Sequence, residues 1–546
     1  MGVARGALAA QGRQCTGPAC DRFWAPANSN PDMKTHRHLI ACLSAAALLA
    51  LSGCGTTVVN PVTGEAERSV MDEPTEIAEG AKAHKQVIQD EGVYDDPKLQ
   101  AYVNAVGQKL AAESHRAHLK WTFTVLDSPE INAFALPGGY VYVTRGIMAY
   151  LDSEAELAGV IGHEIGHVTA RHGAQRATRQ QNAGLGVLAA TVLGAVLESQ
   201  GLRGATDIAG QVSQTAAAGY IASYSREQES QADRLGAEYL SRTQYDPRNM
   251  IDVIALLKNQ EQLAAEAARA EGRPPREGGN WLASHPSNEQ RLAEIRANAT
   301  LYQGRYVDDG RDRYLQAIDG MTFGDSRSQG VVRGRQFFHE PLGLALSAPP
   351  GWHIANGKDA ISVINEAGDA GLVIKLLPEQ ASGMSHEGVI RQLLKADQNR
   401  LEGRTEARRL HGLPATHFAG TVRNAQGQSA SVRLTIADGP QGRRYLLRYA
   451  AQNPQALQRA LTGLQEAEGS FRELTSADRK AAQPWVIRTV PMPKAGFGEL
   501  ASQSALSGFD SQAEARLRLM NSAYGEKGSG GLSTPPAAGQ RVKTVR

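Results

Sequence analysis

Between residues 81 and 300 the apolar positions recur mostly at helical spacing, interrupted by two short runs that alternate instead. Trp121 to Leu126 (WTFTVL) and Tyr140 to Thr144 (YVYVT) alternate as half-buried strands do, and Pro137-Gly138-Gly139 leads into the second. They predict a strand pair within a mainly helical domain. Ser153 is placed to cap a helix, with Glu156 three residues on to close a capping box. That helix carries Leu157, Val160, Ile161, Ile165 and Val168 on one side. Residues 183–197 are an uncharged stretch of Ala, Gly, Val and Leu, too short to span a bilayer and predicted as a buried helix. Residues 261–272 read as a solvated helix rich in Ala and Glu, ended by Pro274-Pro275.

The pattern then changes. Residues 301–335 are charged and rich in glycine and read as a connector. Across 336–475, strand-like runs at 344–347, 361–364, 372–377, 431–436 and 444–449 alternate with helical runs at 387–401 and 454–467, which predicts a smaller α+β domain. His353, His386, His411 and His417 have no regular spacing in it and read as surface or core residues. Residues 485–546 form a tail with Gly and Ser clusters around 525–533, and no solenoid repeat is visible. The expected fold class is therefore α+β: the helical domain over 81–300, a connector, the smaller domain and the tail.

The N-terminus reads as an address. Residues 34–54 (KTHRHLIACLSAAALLALSGC) combine a basic start, a short apolar core and a small-residue exit, the parts of a secretory signal. Leu51-Ser52-Gly53-Cys54 resembles the bacterial lipobox, in which cleavage leaves a lipid-modified cysteine as the first residue. On that reading the start is Met33, residues 1–53 are leader and signal peptide, Cys54 carries the lipid, and residues 54–80 are a tether. Acyl chains supply roughly 0.8 kcal/mol per buried CH₂, so this anchoring needs no membrane-spanning helix. An uncleaved hydrophobic anchor is the plainer alternative.

Composition narrows the function class. The chain has 546 residues, 41% hydrophobic and 21% charged, which is globular. A formal net charge of +2 argues against a dedicated nucleic-acid binder. The four cysteines, Cys15, Cys20, Cys42 and Cys54, all precede the domains, so a disulfide framework is excluded for the bulk of the chain.

The chemistry lies in Ile161-Gly162-His163-Glu164-Ile165-Gly166-His167, which contains H-E-x-x-H. Positions i and i+4 share a helix face, so both imidazoles can reach one Zn²⁺ at about 2.0–2.1 Å. Glu164 can then face the open coordination position and take a proton from water there. Two satisfied histidines on a polar helix face are the bland alternative. A catalytic zinc wants a third protein ligand. A third histidine in an H-x-x-G-x-x-H continuation is missing, because the residues after His167 are VTARHGAQ, and His172, five residues on, is expected to point away. The other source is a carboxylate from a second helix starting at Ser225. Glu229 can ligate, with Asp233 one turn on to accept the second N–H of a ligand imidazole. A solvated acidic face is the plain reading of Glu229 and Asp233; Glu227 is the rival ligand but has no acid at its own i+4 position.

HEIGH at 163–167, NAFALPGGYVYVTRGIM at 132–148 and ESQAD at 229–233 together resemble the M48 peptidases, zinc endopeptidases of the gluzincin type. The resemblance covers about 80–300. It implies a zincin-type fold with one Zn²⁺ per chain, His163, His167 and Glu229 as ligands, Glu164 as catalytic base and Asp233 supporting a ligand. It also implies that substrate binds as an added strand, a role this reading gives to the run at 140–144 beside its plainer one as a hairpin strand. Ser284-His285-Pro286-Ser287-Asn288-Glu289-Gln290-Arg291 resembles the H-P…R segment near the end of many such domains. His285 can reach the open zinc position and make the enzyme latent; with Arg291 it can instead hold substrate or the tetrahedral intermediate; or the segment is a helix entry with Pro286 at its start and Ser287 as cap. Tyr224, Arg226, His285 and Arg291 are the candidates for stabilising the oxyanion. The tail, through Leu517 to Asn521 and Gly539 to Lys543, resembles the end of a LysM-type module, which makes peptidoglycan a further partner. No paired membrane helices or TPR repeats accompany these motifs.

The expected protein is thus a zinc endopeptidase acting on unfolded or misassembled envelope polypeptides. It is expected in the periplasm, held to a membrane, the outer one favoured, by lipidated Cys54, with no nucleic-acid partner. The alternative is a non-catalytic zinc-containing chaperone or cell-wall-binding lipoprotein.

Overall fold

The computed structural model describes residues 56–181, 224–270, 289–302, 304, 306, 308–357, 360–525 and 534–546, together with Trp281 and His285. The signal-like segment with Cys54, the stretch at 183–197, the loop at 274–275, Pro286, Ser287 and most of the Gly and Ser cluster near 525–533 lie outside the described residues.

The chain is a mixed α+β protein. A hairpin of β1 (Thr56–Val59) and β2 (Ala66–Ser69) leads into α1 (Glu73–Glu91) and α2 (Pro97–Ala112). Both helices start on an aspartate cap with proline in the first turn, where its missing N–H is harmless. Three strands follow: β3 (Thr122–Leu126), β4 (Ala133–Leu136) and β5 (Tyr140–Thr144). Then come α3 (Arg145–Tyr150), α4 (Glu154–Thr169), α5 (Arg226–Arg242), α6 (Asn249–Ala270), α7 (Glu289–Leu301) and α8 (Arg311–Ile318).

The expected strand pair exists as β3 and β5, running parallel, but β4 lies on the other side of β5, so the order is β3-β5-β4. This corrects the substrate role given to residues 140–144. Both hydrogen-bonding edges of β5 are filled; among the described residues β3 and β4 are the edge strands of this sheet, and β4 packs on α4.

Every residue of α4 is buried, where one-sided amphipathicity predicted a single covered face. The helix lies between α2 and the sheet on one flank and α5 and α6 on the other. Its cap also differs in detail. Ser153 accepts from the Glu156 N–H at 3.1 Å, but the Glu156 carboxylate reaches past Ser153 to the Asp152 N–H at 2.7 Å.

Residues 301–335, expected to be a connector, join the same core: Tyr314, Leu315 and Ile318 of α8 are buried in it. β6 (Thr322–Phe323) and β7 (Val331–Arg333) follow, then β8 (Gln336–His339) and β9 (Leu344–Ser347). A seven-stranded antiparallel sheet is built from β10 (His353–Asn356), β11 (Ile361–Ile364), β12 (Ala370–Leu376), β13 (Arg400–Leu410), β14 (Leu413–Arg423), β15 (Ser429–Asp438) and β16 (Arg444–Ala451), in the order β10-β11-β12-β16-β15-β14-β13. One face is covered by α10 (Pro454–Gly469) and part of the other by α9 (His386–Leu393). The helix expected over 387–401 therefore stops early. Arg400–Leu410 is instead an edge strand, and its run of Arg and Glu carries no apolar alternation because most of its residues are exposed.

After β17 (Arg472–Glu473) and α11 (Ser476–Ala481), the tail runs β18 (Trp485–Pro491), α12 (Phe497–Ser502), α13 (Ala513–Met520) and β19 (Arg541–Val545), with β18 and β19 antiparallel. Ile487, Leu500, Leu517, Met520 and Val545 are buried in the same core as α4.

Candidate metal centre

Three glycines let the two helices that carry the motifs cross almost in backbone contact. A Cβ on Gly166 would lie 2.9 Å from the Ala232 carbonyl oxygen, and one on Gly236 would lie 3.2 Å from the His163 nitrogen; Gly162 faces Gly236. This approach sets Glu229 and Asp233 of α5 against His163 and His167 of α4. Ser225 and Gln228 close a full capping box at the start of α5, which fixes where Glu229 falls.

His163, His167, Glu229 and His285 each present one donor atom, all within 4.8 Å of one another, and all four residues are buried. His163 Nε2 is 3.0 Å from His167 Nε2 and 3.2 Å from His285 Nδ1. The Glu229 carboxylate lies 3.6 Å from His163, 3.5 Å from His167 and 2.9 Å from His285. Two ligands of a tetrahedral zinc with bonds of 2.0–2.1 Å are roughly 3.3 Å apart, so these separations suit a common ion. The charges agree. Among the described residues, Glu164, Glu229 and Asp233 are buried together with the cation of Arg291, and a divalent ion would offset the excess. The three imidazoles and one carboxylate thus fit zinc.

Asp233 accepts from His163 Nδ1 at 2.9 Å, which turns the Nε2 lone pair toward the cluster. Arg291 grips Asp233 with two nitrogens, at 2.7 and 2.9 Å, and sets Nη1 2.9 Å from both Glu229 Oε2 and the His285 carbonyl oxygen. Burial pushes the Asp233 carboxyl up, but Arg291 and His163 more than reverse this and hold it well below its ordinary range. Burial pushes Glu229 up to about 7 against the opposing pull of His163 and Arg291. It raises Glu164 as well, and it depresses His285 to about 3 and His167 well below the usual histidine value, so both rings are neutral and present lone pairs.

Of the residues expected from sequence, His163, Glu164, His167, Glu229, Asp233, His285 and Arg291 all meet here. Glu227 and Arg226 are exposed on the first turn of α5 and take no part. Tyr224 packs its ring 4.1 Å from that of His167.

Two contributors were missed. Trp281 donates its indole N–H to Glu164 Oε1 at 2.9 Å, stacks on His285 with ring centres 4.7 Å apart, and donates its backbone N–H to the Ile131 carbonyl at 2.8 Å. A lone tryptophan in a Gly-rich stretch gives no signal of this. The second is His172, which stays off the face that His163 and His167 turn to the cluster but sets its Nδ1 2.9 Å from His167 Nδ1. Helical spacing gives no sign of this contact, because α4 ends at Thr169 and Arg171 takes a left-handed φ of 60°, which brings His172 against His167.

Residues 97–299 match the model of Peptidase family M48. The chain is 32% identical over 225 residues to the beta-barrel assembly-enhancing protease of Escherichia coli (strain K12), a match covering 40% of this chain and 43% of that one. It is 30% identical over 233 residues to the mitochondrial metalloendopeptidase OMA1 of Arabidopsis thaliana, covering 43% of this chain and 41% of that one. The chain thus spans less than half the length of these relatives.

Proposed function

Residues 97–299 of this chain are a peptidase family M48 domain, and we propose that the chain is a zinc-dependent endopeptidase that hydrolyses unfolded or misassembled proteins of the cell envelope. One observation carries the proposal: His163, His167 and Glu229 converge from two helices with Glu164 beside them, at separations that suit one zinc ion. When bound, zinc supplies Lewis-acid chemistry, polarising a peptide carbonyl and lowering the pKa of water. Glu164, held above the ordinary carboxylate range by burial, takes the proton of the attacking water and hands it to the leaving amine. Asp233 and Arg291 keep His163 in the tautomer that ligates. The outer edge of β4, which pairs with no further strand among the described residues, receives the substrate backbone as an added strand, an arrangement that reads little side-chain sequence. That suits a quality-control protease, and the bacterial relative's name refers to assembly of β-barrels.

Placement in the periplasm on a lipidated Cys54, with the outer membrane favoured, belongs to the same proposal. It rests on the signal-like segment, and no helix among the described residues is long and apolar enough to cross a membrane. Contact of the tail with peptidoglycan rests on its resemblance to a LysM-type module. Removing metal tests the central claim. The purified chain is expected to hold one zinc, to lose casein hydrolysis in 1,10-phenanthroline and to regain it with added zinc. Full activity in metal-free protein would sink the proposal.

The fourth donor favours a second reading of the same site. His285 closes the ligand set and Trp281 occupies Glu164, so this arrangement is a latent enzyme or a non-catalytic zinc protein. His285→Ala separates them. A latch closed about 90% of the time predicts a gain in casein hydrolysis on the order of tenfold. A fall would assign His285 to substrate or transition-state contact, and an unchanged rate would remove it from both roles.

A further inference from the structure

We infer that His172 and Gln231 form a relay that positions His167, fixing the tautomer in which His167 presents its Nε2 lone pair to the metal; the inference rests on the zinc reading above. His172 is fully buried, its ring crossing that of His167 nearly edge-on with centres 4.9 Å apart. Its Nε2 lies 2.9 Å from Gln231 Oε1 and its Nδ1 lies 2.9 Å from His167 Nδ1. An amide oxygen only accepts, so His172 Nε2 carries the proton. In the neutral ring Nδ1 is then an acceptor, and His167 Nδ1 must donate to it. The proton on His167 is thereby placed on the nitrogen facing away from Glu229 and His163, and Nε2 is left free to ligate.

The two ligand imidazoles are thus oriented by different chemistry, His163 by the charged Asp233 and His167 by a neutral ring that borrows its polarity from an amide. The relay depends on the turn after α4. Arg171 is held in its left-handed conformation by Glu76, 3.0 Å from Nε, and by the Met71 carbonyl, 2.7 Å from Nη2. A residue without glycine's freedom tolerates that backbone only when its surroundings impose it. Helix α1, remote in sequence, therefore sets the position of His172 through Glu76.

The test uses the full chain and zinc alone, with affinity measured by competition against a chromogenic chelator. Loss of such outer partners lowers metal affinity by about 10–100-fold, and that is expected for His172→Phe. Gln231→Leu is expected to weaken zinc by about tenfold, while Gln231→Glu, which still accepts from His172 Nε2, is expected to bind zinc as the parent does. This Leu-against-Glu split at a position that touches no ligand is what a merely space-filling role would not produce. Cobalt substitution adds a spectroscopic check: the ligand-field bands should shift in Gln231→Leu and hold in Gln231→Glu. Parent affinity in a folded His172→Phe protein would overturn the relay, as would equal affinities for the two Gln231 variants should His172→Phe fail to fold. A parent chain that binds no zinc would remove the metal-centre reading itself, a result distinct from tight zinc in parent and variants alike.

Discussion

Glu164→Gln is expected to lower kcat for casein by about 10²–10⁴-fold, the contribution of a placed general base, while zinc remains at one per chain. Glutamine keeps the size of the side chain, and its amide oxygen can still accept the Trp281 indole N–H that now lies 2.9 Å from Oε1. Glu164 is not one of the four converging donors, and its Oε1 lies 3.6 Å from His285 Nε2. Fold and metal site should therefore survive, and only the capacity to take a proton is removed. Burial makes the native carboxylate a stronger base than one in water, which enlarges the difference. Metal analysis alongside initial rates on casein reads both halves. Cleavage near the parent rate with zinc retained would move the chemistry elsewhere. Full biological activity without cleavage would support the binding-protein alternative. The variant is expected to retain bound chains, and identifying them would name the physiological substrates.

What sequence disclosed follows from the range of each signal. His163 with His167, and Glu229 with Asp233, were legible because helical spacing of four fixes a shared face wherever the helix goes. His172 was not, because its position depends on where α4 stops and on the left-handed Arg171, which Glu76 enforces from about a hundred residues away. β4 escaped notice because AFAL lacks alternation and has only four residues; pairing with β5 makes it a strand. The apolar residues of 311–318 and of the tail were visible as apolar, but nothing local says that Tyr314, Leu517 and Val545 cover the same core as α4. Local pattern marks which residues want burial; only the fold says against what.

That shared core gives the second large effect. Lys543, on β19, is fully buried beneath the start of α4. Its ammonium donates to the carbonyls of Tyr150 and Leu151 and lies 3.7 Å from the Asp152 carboxylate. Burial pulls the Lys543 pKa down and pushes that of Glu156 up, with Asp152 drawing both upward, so the three form one buried electrostatic unit. Lys543→Met keeps the length of the stem and removes the charge. Breaking a buried pair from one side costs about 3–5 kcal/mol, and because Arg311 still holds Asp152 at 3.0 Å the loss should fall near the lower figure, about 3 kcal/mol. The two carbonyls also lose their donor, at the segment that leads into the Ser153 cap of α4. Denaturant unfolding of the full chain should show the transition midpoint moved down. Adding Asp152→Asn and Glu156→Gln should recover part of the loss, because the uncompensated carboxylates are what make the single variant unfavourable. A parent-like midpoint for Lys543→Met would mean that the buried ammonium and its carboxylates contribute nothing net, and that the tail holds α4 through the shared apolar core alone.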